Sequence, residues 1–131
     1  MNIELFVLCD AATETGGKLN ILGAFDNIYS RIAPATHPQC TIAMRVRFNQ
    51  IEKGKHRLRV NIVDEDGKLI IPSLDANITV DFPQQTDSGV TNLVLNIQGL
   101  KLEKFGKYSV DLAIDGRHES SVPLNFIQVQ Q

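Results

Sequence analysis

The stretch that decides the fold is GKYSVDLAIDG, residues 106–116 of a 131-residue chain. Apolar side chains recur at every second position from Tyr108 to Ile114, and polar or small residues fill the gaps. Because side chains alternate faces along a strand, this pattern predicts a β-strand with one face in a core and the other towards water. Asp115-Gly116 suits the two positive φ angles of a tight hairpin turn, and a second alternating strand returns after it.

The same alternation recurs along the rest of the chain and predicts about eight strands. Six of them precede the hairpin at residues 106–116: 3–12, 19–25, 40–48, 57–64, 73–82 and 90–98. Many short strands separated by turns are typical of an antiparallel β-sandwich. Gly106-x-Tyr108 at a strand start resembles the tyrosine corner of immunoglobulin-like sandwiches, with an ordinary strand-end tyrosine as the alternative. We predict an all-β antiparallel β-sandwich of about eight strands, immunoglobulin-like in order, as one domain over residues 1–131.

Two stretches need separate predictions. The odd-numbered residues of the first strand, from Ile3 to Ala11, are predicted to face the core. Phe6 and Leu8 then make the opposite face of that strand apolar too. The segment 26–39 holds two prolines and shows no alternation, so we predict a long loop there.

Composition and charge exclude several classes of protein. A formal charge of −2 and a pI near 5.9 argue against sequence-independent binding of nucleic acid, which needs a basic domain. No apolar run approaches the roughly 18 residues of a membrane span, and residues 1–4 lack the basic start of a signal peptide. Cys9 and Cys40 lie in apolar strand patterns and are predicted to be buried free thiols. We therefore expect a cytoplasmic protein that binds no membrane and no nucleic acid.

The sequence contains no motif for catalysis, metal binding or cofactor binding. His37, His56 and His118 lack the spacings of a metal site, and no nucleophile elbow, phosphate loop or dinucleotide fingerprint is present. We predict a small non-catalytic binding or protein-interaction module with no cofactor, no metal and no catalytic residue. The alternative is a ligand-binding or hydrolytic pocket built from these loop histidines and from carboxylates.

Four arginines form an unusual surface feature. Arg45 and Arg47 lie on the outward face of the third predicted strand, and Arg57 and Arg59 on that of the fourth. If the two strands form a hairpin, all four guanidinium groups share one side of it, as a docking patch for an acidic partner or an anion. The alternative is a solvated face that carboxylates on neighbouring strands balance. Three aspartates could do so: Asp75, Asp81 and Asp111.

Association with a protein partner is also predicted. The first strand carries Phe6 and Leu8 opposite its core face, and the C-terminal strand likewise carries Ile127 and Val129. Edge strands expose unpaired backbone groups that invite pairing with another chain. We therefore expect a homodimer through one of these two strands, unless the segment 26–39 covers the second apolar faces.

Four segments together resemble a known family. They are LFVLCDAA at 5–12, GKLNILGAFD at 17–26, DEDG at 64–67 and IDGR at 114–117. They are similar to a family of small bacterial proteins catalogued only as a domain of unknown function. The resemblance implies a stand-alone bacterial domain. It implies no activity, cofactor or site residue.

Overall fold

A computed structural model describes residues 1–130, most of which lie in β-strands. The strands are β1 (Asn2–Thr15), β2 (Lys18–Ala24), β3 (Asn27–Ser30), β4 (Ala35–Asn49), β5 (Gly54–Val63), β6 (Leu74–Val80), β7 (Ser88–Leu102), β8 (Gly106–Ile114) and β9 (Arg117–Gln128). A single 3-10 turn, Gln50–Glu52, joins β4 to β5. No helix within these 130 residues has the length and apolar character needed to cross a bilayer.

The strands form two sheets whose inner faces share one core. The first sheet is antiparallel and has the order β2-β1-β4-β7, and the second has the order β3-β9-β8-β5-β6. All neighbours in the second sheet are antiparallel except β3 and β9, which run parallel. The prediction of an all-β sandwich is confirmed, with nine strands in place of about eight. The immunoglobulin-like order stays a prediction.

The core lies between the sheets and is built from the residues that alternation places inward. The largest fully buried side chains come from both sheets and include Ile42, Met44 and Phe48 of β4, Leu58 and Ile62 of β5, Leu112 of β8, and Leu124 and Phe126 of β9. Each such side chain contributes roughly 1.5–3 kcal/mol by leaving water. Burial between the sheets is therefore the main force that holds the sandwich together.

In β1, the face that carries Phe6 and Leu8 points into the core, although the sequence analysis placed it outward. Phe6 and Leu8 are buried in the core, whereas Leu5 is only half-buried. The reason is a β-bulge, because Ile3 and Leu5 pair with consecutive residues of β4 and leave Glu4 between them without a partner. One extra residue reverses the alternation, since side chains along a strand have a period of two. The prediction that the odd-numbered residues of β1 face the core is wrong beyond the bulge.

The segment 26–39 is not a continuous loop. It contains β3 and the first residues of β4, which begins at Ala35. β3 has four residues and pairs in parallel with β9, with Asn27 opposite Asn125. Four residues are too few to display an alternating pattern, and the partner strand is remote in sequence, so no local signal marks β3.

The hairpin of β1 and β2 bends partway along its length. The pairing of the two strands skips Asp10 and Gly23, and Gly23 has a φ of 69°. A side chain at Gly23 would collide with the Asp10 carboxylate, which packs against it. The bend therefore needs glycine both for its left-handed backbone and for the close approach of the opposite strand.

Beyond the bend, the hairpin folds over the outer face of its own sheet. The carbonyl of Gly17 at its tip accepts a hydrogen bond of 3.1 Å from Asn92 Nδ2 of β7, although β4 separates β1 from β7 in the sheet. Thr41 and Ala43 point outward from β4, yet they are only 1% and 0% exposed. The folded hairpin thus acts as a partial third layer on this side of the sandwich.

The tyrosine corner is confirmed. The Tyr108 hydroxyl donates a hydrogen bond of 2.6 Å to the carbonyl of Lys104, four residues upstream. Tyr108 is 7% exposed, and its ring lies in the core. The bond holds the connection by which the chain crosses from β7 in the first sheet to β8 in the second.

The two strands predicted to be edges are each covered along only part of their second side. β2 pairs with β1 only along Cys9–Thr15, and β3 pairs with β9 only along Asn125–Gln128. Phe6 and Leu8 are in the core, and Ile127 lies opposite Tyr29 of β3. The dimer through β1 or β9 stays a prediction. The outermost strands are β2 and β7 in the first sheet and β3 and β6 in the second.

Candidate functional site

On the outer face of the first sheet, one carboxylate holds two of the predicted arginines. Glu4, placed outward by its bulge, accepts hydrogen bonds of 2.8 Å from Arg45 Nε and 2.6 Å from Arg47 Nε. These bonds, first that from Arg47 and then that from Arg45, lower the pKa of Glu4 below its usual value. Arg47 also donates to Ser88 Oγ at 2.8 Å. The arginines thus tie β1 and β7 to the strand between them.

The other two arginines lie on the outer face of the second sheet. Arg59 Nε of β5 donates a 2.8 Å hydrogen bond to Asp75 of β6, and Arg57 Nη2 lies 3.9 Å from the same carboxylate. The bond from Arg59 lowers the pKa of Asp75, and the pKa of Arg59 rises in return. This cluster is solvent-exposed, so its contribution to stability is small.

The structure does not gather the four arginines into one patch. β4 and β5 belong to different sheets, and the Gln50–Glu52 turn carries the chain across the sandwich between them. The hairpin on which a single patch depended does not form, because alternation shows which way a side chain points but not which sheet a strand joins. The pairs face opposite sides of the molecule, and each has one cation more than its shared carboxylate balances. Docking by either pair stays a prediction.

The three predicted counter-ions behave differently from one another. Asp75 pairs with arginine as the balanced-face alternative requires. Asp81 lies 3.9 Å from Lys53, and Asp111 accepts hydrogen bonds from the hydroxyls of Ser109 and Ser121. The sequence analysis missed Glu4 as a partner, although an acidic residue that interrupts an apolar strand is a usable signal.

His56 is held between two acceptors. Its Nδ1 lies 2.6 Å from Asp115 Oδ2, its Nε2 lies 2.5 Å from the carbonyl of Glu52, and its ring stacks on Phe48 with 4.9 Å between centroids. Only the protonated ring can donate from both nitrogens, so the carbonyl of Glu52 and then the carboxylate of Asp115 raise the pKa of His56 despite partial burial. This histidine clamps the 115–116 turn to the 3-10 turn.

The other two histidines have separate surroundings. His37 packs on Phe25 with ring centroids 5.6 Å apart, and His118 Nε2 lies 2.7 Å from Ser121 Oγ. Ser121 donates its hydroxyl proton to Asp111, so that proton is not directed at the histidine, as the nucleophile–base pair of a hydrolase requires. Within residues 1–130, no group of three or more His, Cys, Asp or Glu side chains is placed to hold a metal ion. The pocket built from histidines and carboxylates has no support in this geometry.

A groove of about 650 Å³ lies at one end of the molecule, between the β5–β6 connection and the β7–β8 connection. Tyr108 and Phe105 are among its lining residues. Its ionisable side chains are four acids, Asp64, Glu65, Asp66 and Glu103, and four lysines, Lys68, Lys101, Lys104 and Lys107. Because the charges balance, the groove selects neither an anion nor a cation by electrostatics.

Both thiols are free and buried, as predicted. Cys9 donates from Sγ to the carbonyl of Thr41 at 3.4 Å beneath the folded hairpin. Burial raises the pKa of both thiols, that of Cys40 to about 11. A thiol is a nucleophile only as the thiolate, so neither cysteine is suited to chemistry near neutral pH.

The free edge of β7 is the feature of this fold most suited to recognition. β7 pairs only with β4, and no backbone hydrogen bond from another element within residues 1–130 reaches its other side. The strand has 15 residues, of which 88–100 carry no charge and no proline. Sequence reasoning ended this strand at residue 98 and could not place it at an edge, because edge position depends on the order of all strands.

Comparison with known proteins identifies a family and no function. A model described as "Family of unknown function (DUF6941)" matches residues 4–127. No curated protein matches the chain.

Proposed function

We propose a function for a chain that belongs to DUF6941, a family of unknown function: it is a non-catalytic protein-interaction module that binds an extended polypeptide segment along the free edge of β7. The observation that carries the proposal is the length of this unprotected edge. Residues 88–98, which precede the interruption at Gly99, span about 37 Å at about 3.4 Å per residue, which is long enough to pair with any ordinary strand.

The other three edges are protected in the ways that natural sheets use. β3 has only four residues, and β2 and β6 have seven each. β2 begins with Lys18 and bends sharply at Gly23, and β6 carries Asp75 and follows Pro72. Short length, charge, bends and proline all discourage pairing with another chain. The lengths of β1 and β9 that pair on one side only carry a charged bulge at Glu4 and Pro123, respectively. β7 has none of these devices between residues 88 and 98, so it is the edge best suited to a partner.

The side chains of β7 suit the addition of a strand. On the inner side, Leu93 and Leu95 pack against the core but remain only half-buried at the margin of the sheet. On the outer side, Asn92 and Asn96 are polar and hydrogen-bonded to neighbouring strands. An added strand gains main-chain hydrogen bonds from the edge and specificity from alternate side chains. The favoured partner segment is uncharged and alternates apolar with polar residues.

The non-catalytic part of the proposal is supported by the way the ionisable groups are used. Glu4, Asp75 and Asp115 each hold a basic side chain of the fold. Asp111 is occupied by two hydroxyl donors. Groups that are committed to structural contacts are poor candidates for acid–base chemistry, which needs access to a substrate.

A cytoplasmic location and a bacterial origin belong to the same proposal. The location is supported by Cys9 and Cys40, which are unpaired thiols of the kind that a reducing compartment maintains. Cell fractionation of the native host tests this point, and recovery of the protein outside the cytoplasm would contradict it.

The experiment is a selection of random decapeptides for binding to the whole chain, followed by amide hydrogen exchange on the complexes. Selected peptides should slow exchange at alternate amides of β7. Thr91→Lys places a cation on the half-buried inner side of the β7 edge. Thr79→Lys adds the same charge to the exposed outer side of the β6 edge and controls for the charge alone. We expect the first substitution to abolish binding and the second to preserve it, with both variants checked for folding by circular dichroism.

The exchange pattern of the wild-type chain decides the matter even if Thr91→Lys fails to fold. Protection of β6, β2 or the groove in place of β7 would contradict the proposal. The absence of any selected peptide, or an equal loss of binding in the Thr79→Lys control, would contradict it as well.

A further inference from the structure

We infer that the groove between the β5–β6 and β7–β8 connections binds a linear zwitterion, a molecule with an ammonium group and a carboxylate at the two ends of an apolar chain. An ω-amino acid has this chemistry, and so has a lysine at the C-terminus of a polypeptide. The volume of about 650 Å³ lies in the range of small-molecule sites. The site is separate from residues 88–98 of β7, so the inference does not depend on the proposed function.

The charges of the groove are divided between its two walls. The wall formed by the β5–β6 connection carries three acids and one lysine: Asp64, Glu65, Asp66 and Lys68. The opposite wall, from the end of β7 to the start of β8, carries three lysines and one acid: Lys101, Lys104, Lys107 and Glu103. The groove is therefore neutral in sum but negative on one side and positive on the other. This division matches a ligand whose own charges are separated.

Among residues 1–130, no ion pair joins the two walls. Lys101 pairs with Glu103 of its own wall at 3.4 Å, whereas neither Lys104 nor Lys107 forms a salt bridge within these residues. Asp66 on the other wall has no basic partner there either. Charged groups of opposite sign thus line the two walls without neutralising each other, and a zwitterion between them would satisfy both.

Hydrogen bonds hold the walls in place. Asp64 Oδ1 accepts a 2.9 Å bond from each of the backbone N–H groups of Asp66 and Lys68. The tyrosine corner fixes the opposite wall. Glu65 ties the two walls together, because its Oε1 accepts a 2.9 Å hydrogen bond from the backbone N–H of Lys107. The groove is therefore formed before a ligand arrives, which lowers the cost of binding.

The apolar lining suits the middle of such a ligand. Leu69 is 44% exposed, and Ile70 and Phe105 are half-buried. All three side chains line the groove. Methylene groups that pack on them leave water, and this burial adds to the attraction between the charged ends and the walls. We expect the ammonium group to lie near Asp66 and the carboxylate near Lys104.

Titration with ω-aminohexanoate, followed by NMR through the backbone amide signals of the isotope-labelled chain, tests the inference. The zwitterion should shift the signals of residues 64–70 and 103–108 in a saturable way. Hexylamine lacks the carboxylate and hexanoate lacks the ammonium group, so each should bind roughly threefold to tenfold more weakly. Nα-acetyl-lysine mimics a C-terminal lysine. Tighter binding than that of ω-aminohexanoate identifies the end of a polypeptide as the ligand, and weaker binding identifies a free ω-amino acid.

Charge reversal on one wall should change which probe binds. Lys104→Glu turns a cation of the positive wall into an anion, so it should weaken ω-aminohexanoate roughly threefold to tenfold and favour hexylamine over hexanoate. Asp66→Lys should weaken the zwitterion to a similar extent and favour hexanoate over hexylamine. Two matched controls make the same charge changes at exposed positions near the start of β5 and just before β7, away from the groove: Lys55→Glu and Asp87→Lys.

A wild-type preference for the zwitterion, with opposite probe preferences in the two groove variants, supports the inference. Equal binding of hexylamine or hexanoate, signal shifts confined to other parts of the chain, or no saturable shift in the tens of millimolar would overturn it. An equal effect of the control variants would overturn it as well. The comparison of probes on the wild-type chain decides the matter even if a variant fails to fold. Peptide binding along β7 is measured separately, so the two proposals can fail independently.

Discussion

Removing the hydroxyl of Tyr108 tests the tyrosine corner directly. Tyr108→Phe deletes the 2.6 Å hydrogen bond that the hydroxyl donates to the carbonyl of Lys104 and the long 3.3 Å bond that it accepts from the Lys104 N–H, and it leaves the ring in place. A neutral hydrogen bond contributes about 0.5–1.5 kcal/mol net, and the carbonyl loses this partner near the surface, where water can partly replace it. We therefore expect the free energy of unfolding to fall by about 1 kcal/mol. The corresponding fall in Tm is about 3–4 °C for a domain of this size.

Urea unfolding followed by circular dichroism measures this change. The midpoint should fall while the slope of the transition stays constant, since the surface exposed on unfolding is unchanged. Tyr29→Phe is the matched control, because Tyr29 is 59% exposed and its hydroxyl only accepts a 3.3 Å bond from Asn27. A Tyr108→Phe variant as stable as the wild type, or a Tyr29→Phe variant that loses as much, would refute the assignment of the corner.

Three further perturbations follow from the described contacts. The pKa of His56 is raised above its usual 6.5, so the contribution of the protonated ring to stability is complete below pH 6.5 and is lost as pH rises through the folded-state pKa. His56→Gln should therefore flatten the decline of the free energy of unfolding between pH 6 and 9. An unchanged pH profile would contradict the role of His56. Gly23→Ala should lower the free energy of unfolding by about 1–2 kcal/mol, because the backbone is strained and the added methyl group collides with Asp10. The loss should exceed that of Gly17→Ala, since Gly17 has a similar φ but open space around it. Equal losses in urea unfolding would contradict the bend. Cys9 and Cys40 should react with an aromatic disulfide reagent at pH 8 no faster than the chain opens, because burial raises both pKa values; rapid labelling of the native protein would show an accessible thiol.

Much of the core could be predicted because its signal is local. Phe48, Ile62 and Leu112 lie in strands whose alternation is visible within ten residues, and each is buried as the pattern indicates. The bulge at Glu4 could not be predicted, since an inserted residue is defined only against the partner strand. β3 was not predicted for a related reason, because its four residues form a strand only by pairing with β9, which is remote in sequence.

Surface features divide in the same way into those with a local sequence signal and those that depend on how the strands are arranged. Alternation correctly placed Arg45 and Arg59 outward, and it named Asp75 as a counter-ion. It could not tell that β4 and β5 lie in different sheets, because a connection of four residues can either close a hairpin or cross the sandwich. The open edge of β7 was likewise invisible, since a strand becomes an edge only when every other strand has taken its place.

The parallel pairing of β3 with β9 has a consequence for how the protein is made. Asn27 contacts Asn125 across 98 positions of sequence, so β3 leaves the ribosome long before its partner exists. At about 5–20 residues per second, that delay is roughly 5–20 s. By the time β7 has emerged, all four strands of the first sheet are available, while β8 and β9 at the centre of the second sheet are still inside the ribosome. The nascent chain therefore passes through an interval in which only β3, β5 and β6 are available to cover Ile42, Met44 and Phe48. Chaperones would find their most favourable binding surface in that interval.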